Sequence, residues 1–196
     1  MTRLILIRHG RPSEDAVGTH YGQTDVDLSD RGRTQSTAVV ERFADSELHA
    51  IYSSDLRRAS WMADQLAEPR GLTVRRLAAL RERSIGVLQG LSYADGEAAH
   101  PSEAARMRSE GGMYRPPGGE NLSDLADRVL PALAGIVRDH PGQTVAIAGH
   151  GGPIRVVLVD ALSMPIETAE RIRVGYCGVC VIDYALDTPR VLQING

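Results

Sequence analysis

Leu4-Ile5-Leu6-Ile7-Arg8-His9-Gly10 sets four consecutive apolar residues directly against a guanidinium, an imidazole and a glycine. So short and so apolar a run reads as a strand buried on both faces, the habit of a parallel sheet covered by helices. Its carboxyl end then delivers Arg8 and His9 to the sheet edge where open α/β folds form their crevices. The same pattern recurs outward along the chain. Ala50–Ser53 reads as a second strand, with Ser54 as the expected N-cap of a helix carrying Leu56, Ala59, Ala63 and Leu66 on one face. Residues 145–148 form a further strand, which runs into Gly149-His150-Gly151-Gly152 and a helix over 153–162.

The remaining segments fill the alternation. After a long connection over 10–28, residues 29–44 have helical character, and 72–76 read as a strand. Residues 81–118 are rich in Gly, Pro and charge, with one short helix expected between Ser102 and Ser109. Asn121 can cap a helix with Leu122, Leu125, Val129, Leu133 and Ile136 on its apolar stripe, ended by Pro141-Gly142. Val179–Tyr184 and 191–194 complete the strands. The expected architecture is α/β, three layers α/β/α around a mostly parallel sheet. No repeat or linker divides it, and residues 1–196 suit a single domain.

Composition narrows the chemistry. Net charge is -3 and aromatic content 4%, so nothing points to nucleic acid. All 22 basic residues are arginine. Without lysine, a P-loop and a Schiff-base mechanism are both excluded, and any phosphate site must rest on Arg, His and backbone N–H groups. Cys177 and Cys180 are the only cysteines. Their run, 174–183, reads as one strand, whose positions i and i+3 face opposite ways, so a buried, inert pair is expected rather than a redox site. The N-terminal apolar run is too short for a signal core or a membrane span, which implies a cytoplasmic protein without membrane attachment. A homodimer is compatible with the sequence, which does not read on oligomeric state.

Three strand ends thus carry cations or N–H donors: Arg8-His9, Ser53-Ser54 with Arg57-Arg58, and Gly149 to Gly152. Each stands where a helix N-terminus also favours an anion. One such feature is weak, but three on one sheet edge converge on an anion site. A hydrolase oxyanion loop around His150 would need a Gly-x-Ser-x-Gly elbow, and there is none.

The run Leu6-Ile7-Arg8-His9-Gly10, followed far downstream by Gly149-His150-Gly151-Gly152, resembles the histidine phosphatase superfamily, which includes the cofactor-dependent phosphoglycerate mutases. The resemblance extends through Gly22-Gln23-Thr24-Asp25-Val26-Asp27-Leu28-Ser29, Ser53-Ser54-Asp55-Leu56-Arg57-Arg58-Ala59, Leu80-Arg81-Glu82-Arg83 with Gly86, and Pro117-Gly118-Gly119-Glu120-Asn121. Where the family usually has Glu/Gln-Thr and then Asn after His-Gly, this chain has Arg11-Pro12-Ser13-Glu14-Asp15, and Asp27 replaces a usual proline.

The resemblance implies His9 as nucleophile toward a phosphomonoester, with Arg8, Arg58, His150 and the N–H of Gly151 around the phosphate. It implies Glu82 as proton donor and then as base, with no metal and no cofactor. Neighbouring cations should keep His9 neutral. Arg11, Tyr21, Arg83 and Arg115 are candidate outer contacts. The mutases carry a longer segment before Pro-Gly-Gly-Glu and a lysine that contacts substrate. This chain has neither, so hydrolysis of a small-molecule phosphomonoester is expected over mutase transfer. A non-catalytic binding module is disfavoured, because His9, Arg8, Arg58, Glu82 and His150 are all retained.

Overall fold

Alternation along the first strand, β1 (Thr2–Arg8), sorts the layers. Leu4 and Leu6 join one buried cluster while Ile5 and Ile7 join another on the opposite face of the sheet. The computed structural model describes residues 1–185 and 188–196. It adds β2 (Ala50–Ser53), β3 (Val74–Arg76), β4 (Thr144–Gly149), β5 (Val179–Tyr184) and β6 (Pro189–Gln193) in the order β3-β2-β4-β1-β5-β6. The first four run parallel, and β5 and β6 close one side by antiparallel pairing.

Two helices, α1 (Asp30–Arg42) and α2 (Arg57–Ala67), cover the Ile5/Ile7 face through Val39, Met62, Ala63 and Leu66. Two shorter ones follow, α3 (Tyr93–Ala99) and α4 (Pro101–Glu110), ahead of α5 (Leu122–Asp139) and α6 (Gly151–Ala161). The stripe Leu122, Leu125, Val129, Leu133 and Ile136 of α5 packs with α6 over the Leu4/Leu6 face. Local chemistry fixes the starts of these helices. Ser29 accepts from the Gly32 N–H, and Asn121 and Asp124 form a reciprocal capping box on α5. The three-layer architecture is as the sequence implies.

Three local readings differ. Ser54 does not cap α2; that helix starts two residues later from Leu56, and the Ser54 hydroxyl bonds to a histidine instead. The stretch expected to hold one short helix between Ser102 and Ser109 holds both α3 and α4, broken at His100-Pro101, because proline lacks the N–H to continue α3 and starts α4 readily. Cys177 lies outside the strand in a turn with φ of 57°, half-buried, so only Cys180 is a core thiol.

What this topology does for a site is simple. Inserting β4 between β2 and β1 places three parallel strand ends side by side. The His9 N–H donates to the Gly149 carbonyl at 3.0 Å, and that of Ser54 to the Ala148 carbonyl at 3.3 Å.

Candidate active site

His9, leaving β1, is 1% exposed. Its ring nitrogen Nδ1 lies 2.7 Å from the Gly10 carbonyl, an acceptor only, so Nδ1 carries the proton and Nε2 keeps its lone pair. His150, leaving β4, is wholly buried, with its ring centroid 5.2 Å from that of His9. Its Nε2 shares a 2.6 Å hydrogen bond with the Ser54 hydroxyl at the end of β2. With that hydroxyl donating, the other nitrogen, Nδ1, becomes an N–H donor; it is buried and has no partner among the described residues. Both histidines are held well below the usual imidazole pKa. Burial is the main cause for each, followed by the positive charge of Arg58 and Arg8, with His9 adding to the effect on His150. The pair is therefore neutral near pH 7.

Two guanidiniums flank them. Arg58, in the first turn of α2, is fully buried and donates to the carbonyls of Thr24 (2.7 Å) and Gly22 (2.6 Å) while lying over the Tyr21 ring. Arg8 donates to the Val174 carbonyl at 2.6 Å and is covered by Tyr176, whose ring centroid is 4.2 Å from its Cζ. The Nε atoms of both arginines are buried without partners among the described residues. The N-terminus of α6 completes the group, because Gly151 packs directly against the Arg8 side chain. Two fixed cations, an N–H imidazole and a helix N-terminus around one neutral imidazole suit a dianionic oxyanion such as a phosphoryl group.

Glu82 reaches the N-terminus of α6 from a separate loop. Its Oε2 accepts from the Gly152 N–H at 3.2 Å and its Oε1 from its neighbour's N–H at 2.8 Å. A Cβ at 152 would overlap the Glu82 carboxylate, so glycine there lets that carboxylate keep its seat on the α6 N-terminus. The loop bearing Glu82 is held by Arg128 of α5, which donates to the carbonyls of Ala79, Arg81 and Glu82 and pairs through two nitrogens with Glu120. Glu120 in turn accepts from the Ser84 N–H. Burial raises the Glu120 carboxyl, but Arg128 and that N–H outweigh it and hold the group below its ordinary value. Gly86 (φ 55°) and Gly119 let the two loops touch where side chains would collide.

Beside Glu82 opens a cleft of about 360 Å³, lined by Thr19, His20, Tyr21, Gly22, Glu82, Arg83, Ile85, Tyr93, Met107, Gly111, Arg155 and Glu170. The fold brings Arg8, His9, Arg58, Glu82, His150 and Gly151 together, with Tyr21 and Arg83 on the cleft wall. Tyr21 is pushed up to about 12, chiefly by burial, and stays neutral. One Arg83 nitrogen is shared among the carbonyls of Gly112, Tyr114 and Glu120. Two outer contacts fall away. Arg11 pairs with Glu14, and Arg115 with Asp124 at the start of α5, and neither lines the cleft. Sequence reading missed Arg155, Glu170, Tyr176 and the clamp residue Arg128. Arg155 alone had a signal, one helical turn after Gly151. Among the described residues, no group of three or more His, Cys, Asp or Glu side chains is arranged to hold a metal ion.

Comparison with known proteins bears on this arrangement. Residues 4–196 match the family described as histidine phosphatase superfamily, branch 1. The chain is 36% identical over 163 residues to a metal-independent phosphoserine phosphatase of Arabidopsis thaliana, covering 80% of this chain and 67% of that one. It is 36% identical over 172 residues to a glucosyl-3-phosphoglycerate phosphatase of Mycobacterium tuberculosis, covering 84% and 77%. A solved mycobacterial glucosyl-3-phosphoglycerate phosphatase, in complex with VO3, superposes with a TM-score of 0.87 at 32% identity, covering 99% of this chain and 98% of that one.

Proposed function

The chain belongs to the histidine phosphatase superfamily, and from that premise we propose that His9 is the nucleophile with which it hydrolyses small-molecule phosphomonoesters. The observation that carries the assignment is the His9 ring itself: buried, neutral, with Nδ1 tied to the Gly10 carbonyl, Nε2 left with its lone pair, and the charges of Arg58 and Arg8 acting on it.

The proposed steps use each of these groups in turn. The phosphate oxygens are taken by Arg8, Arg58, the Nδ1–H of His150 and the N–H of Gly151. These groups offset the substrate's roughly two negative charges and add preorganised stabilisation as charge shifts in the transition state. His9 Nε2 then bonds to phosphorus as the bond to the leaving oxygen breaks, and Glu82 gives that oxygen its proton. Glu82, now a carboxylate, removes a proton from water, which attacks the phosphohistidine and frees His9 and inorganic phosphate. The supported substrate is a small phosphorylated molecule. The two relatives above are named for phosphoserine and glucosyl-3-phosphoglycerate, both phosphate esters of carboxylate-bearing alcohols, and this chain's cleft is proposed to take an alcohol of that kind.

In His9→Ala, turnover of any phosphomonoester and the acid-labile phosphoenzyme are expected to disappear together. Retention of either would overturn the nucleophile assignment.

A further inference from the structure

Two opposite charges in the cleft beside Glu82 are left without partners. Arg155 is half-buried on α6 and commits only its Nε, to the Gly151 carbonyl at 3.2 Å. Its two Nη groups have no hydrogen-bond or ion-pair partner among the described residues. Glu170 lines the same cleft and pairs with no described residue either. Its carboxylate rests on the backbone of Gly111 and Gly112, where a Cβ would collide with it. Gly111 has φ 57° and ψ -134°, a conformation reserved for glycine, so the turn that seats the carboxylate is specified. Arg83 senses both groups, yet its own Nη1 is taken up by carbonyls. Of the other cleft groups, burial keeps His20 below its ordinary value and raises Tyr21, so both stay neutral near pH 7.

We propose that Arg155 and Glu170 read a leaving alcohol that carries both a carboxylate and an ammonium group, making the substrate class the O-phosphorylated α-amino acids. The inference rests on the phosphatase reading above and narrows it. A carboxylate fits the free fork of Arg155. An ammonium answers Glu170, whose charge would repel a leaving group bearing a carboxylate alone. Glu82, the proposed proton donor to the leaving oxygen, lines the same cleft as half-buried Arg155 and exposed Glu170, so an alcohol leaving beside Glu82 would depart into the cleft that holds both charges.

The test compares kcat/KM for four substrates in the wild type, Arg155→Met and Glu170→Gln: O-phospho-L-serine, phosphoethanolamine (ammonium only), 3-phosphoglycerate (carboxylate only) and p-nitrophenyl phosphate (neither). One charge-assisted hydrogen bond corresponds to roughly tenfold or more. The wild type should therefore prefer phosphoserine about tenfold or more over both single-charge substrates. Arg155→Met should collapse the preference over phosphoethanolamine, and Glu170→Gln that over 3-phosphoglycerate, each mainly through KM. Because each readout is a ratio within one variant, a change in the amount of folded enzyme cancels. Unchanged ratios in both variants, or a wild type that prefers 3-phosphoglycerate, would overturn the proposal while leaving the phosphatase reading intact. Failure to release phosphate from any of the four would remove both.

Discussion

Replacing Arg128 by Met deletes a guanidinium that touches no substrate, and it should still damage catalysis. Arg128 and Glu120 are about one-fifth exposed (21% and 20%), so the methionine leaves a largely buried carboxylate unpaired together with three backbone carbonyls. Breaking a buried pair from one side costs about 3–5 kcal/mol, and the residual exposure argues for the lower end, about 3 kcal/mol. For a chain of this size that is a fall in Tm of about 6–12 °C by calorimetry. The loop carrying Glu82 is then free to leave the α6 N-terminus. A positioned general acid contributes about 10²–10⁴-fold, so kcat for an alkyl phosphate should drop by about 10²-fold at temperatures where the variant remains folded. The first burst of nitrophenolate from p-nitrophenyl phosphate should slow far less, because that leaving group departs without a proton. In a Glu82→Gln background the added loss in kcat should vanish, as expected when one residue acts through the other. Arg128→Lys, which keeps the charge, should regain part of the stability and less of the rate. If Arg128→Met costs as much rate with Glu82 already removed, or slows the nitrophenolate burst equally, Arg128 is not positioning Glu82.

Two further outcomes follow from the same site. His9 and His150 have folded pKa values depressed below the ordinary 6.5, so the unfolded chain binds more protons between the two values. Their contribution to stability is complete above pH 6.5 and is lost as pH falls through the folded values, at up to about 1.4 kcal/mol per pH unit for each group. Urea unfolding between pH 6.5 and 5 should show this slope, and His9→Asn should flatten it; an unchanged slope would mean the buried ring carries no such penalty. Gly152→Ala places a methyl on the Glu82 carboxylate and 3.1 Å from a Leu125 methyl, and should lower kcat for an alkyl phosphate about tenfold or more. A loss within twofold in steady-state assays would show that Glu82 need not rest on the α6 N-terminus.

The fold was legible wherever a local period carried it. The apolar run before Arg8 and the 3.6-residue stripe of α5 each match an element whose face is buried. The misreadings arose where a side chain had a better distant partner. Ser54 was read as a cap because serine satisfies helix N–H groups well, but His150, 96 residues away, claims its hydroxyl. Cys177 was read into a strand because its neighbours are apolar, whereas its amide turns back to the carbonyls of Arg8 and His9. The cleft wall was the least legible part. Arg155 and Glu170 come to line one cleft only after α6 and the turn beyond it have folded; Arg155 has only its place one helical turn after Gly151 to mark it, and nothing in the immediate sequence marks Glu170.

The arginines show what the sequence could not rank and the fold does. Arg57 and Arg58 are adjacent, yet Arg57 is 60% exposed in its side chain and paired with Asp25, while Arg58 is buried and held by two carbonyls. The difference in partner type has a physical consequence. A carboxylate partner orients a guanidinium and also cancels its charge, whereas a carbonyl orients it and leaves the charge in place. Among the described residues Arg8 and Arg58 are hydrogen-bonded only to carbonyls, so full positive charge remains at the proposed phosphoryl site. Arg81 and Arg128 are neutralised by Asp55 and Glu120, and both serve the framework. By the same criterion Arg155, tied by a single nitrogen to the Gly151 carbonyl, keeps its charge for the cleft. In a chain whose every cation is arginine, it is the partner of each guanidinium that separates those with charge left for a substrate from those that hold the fold.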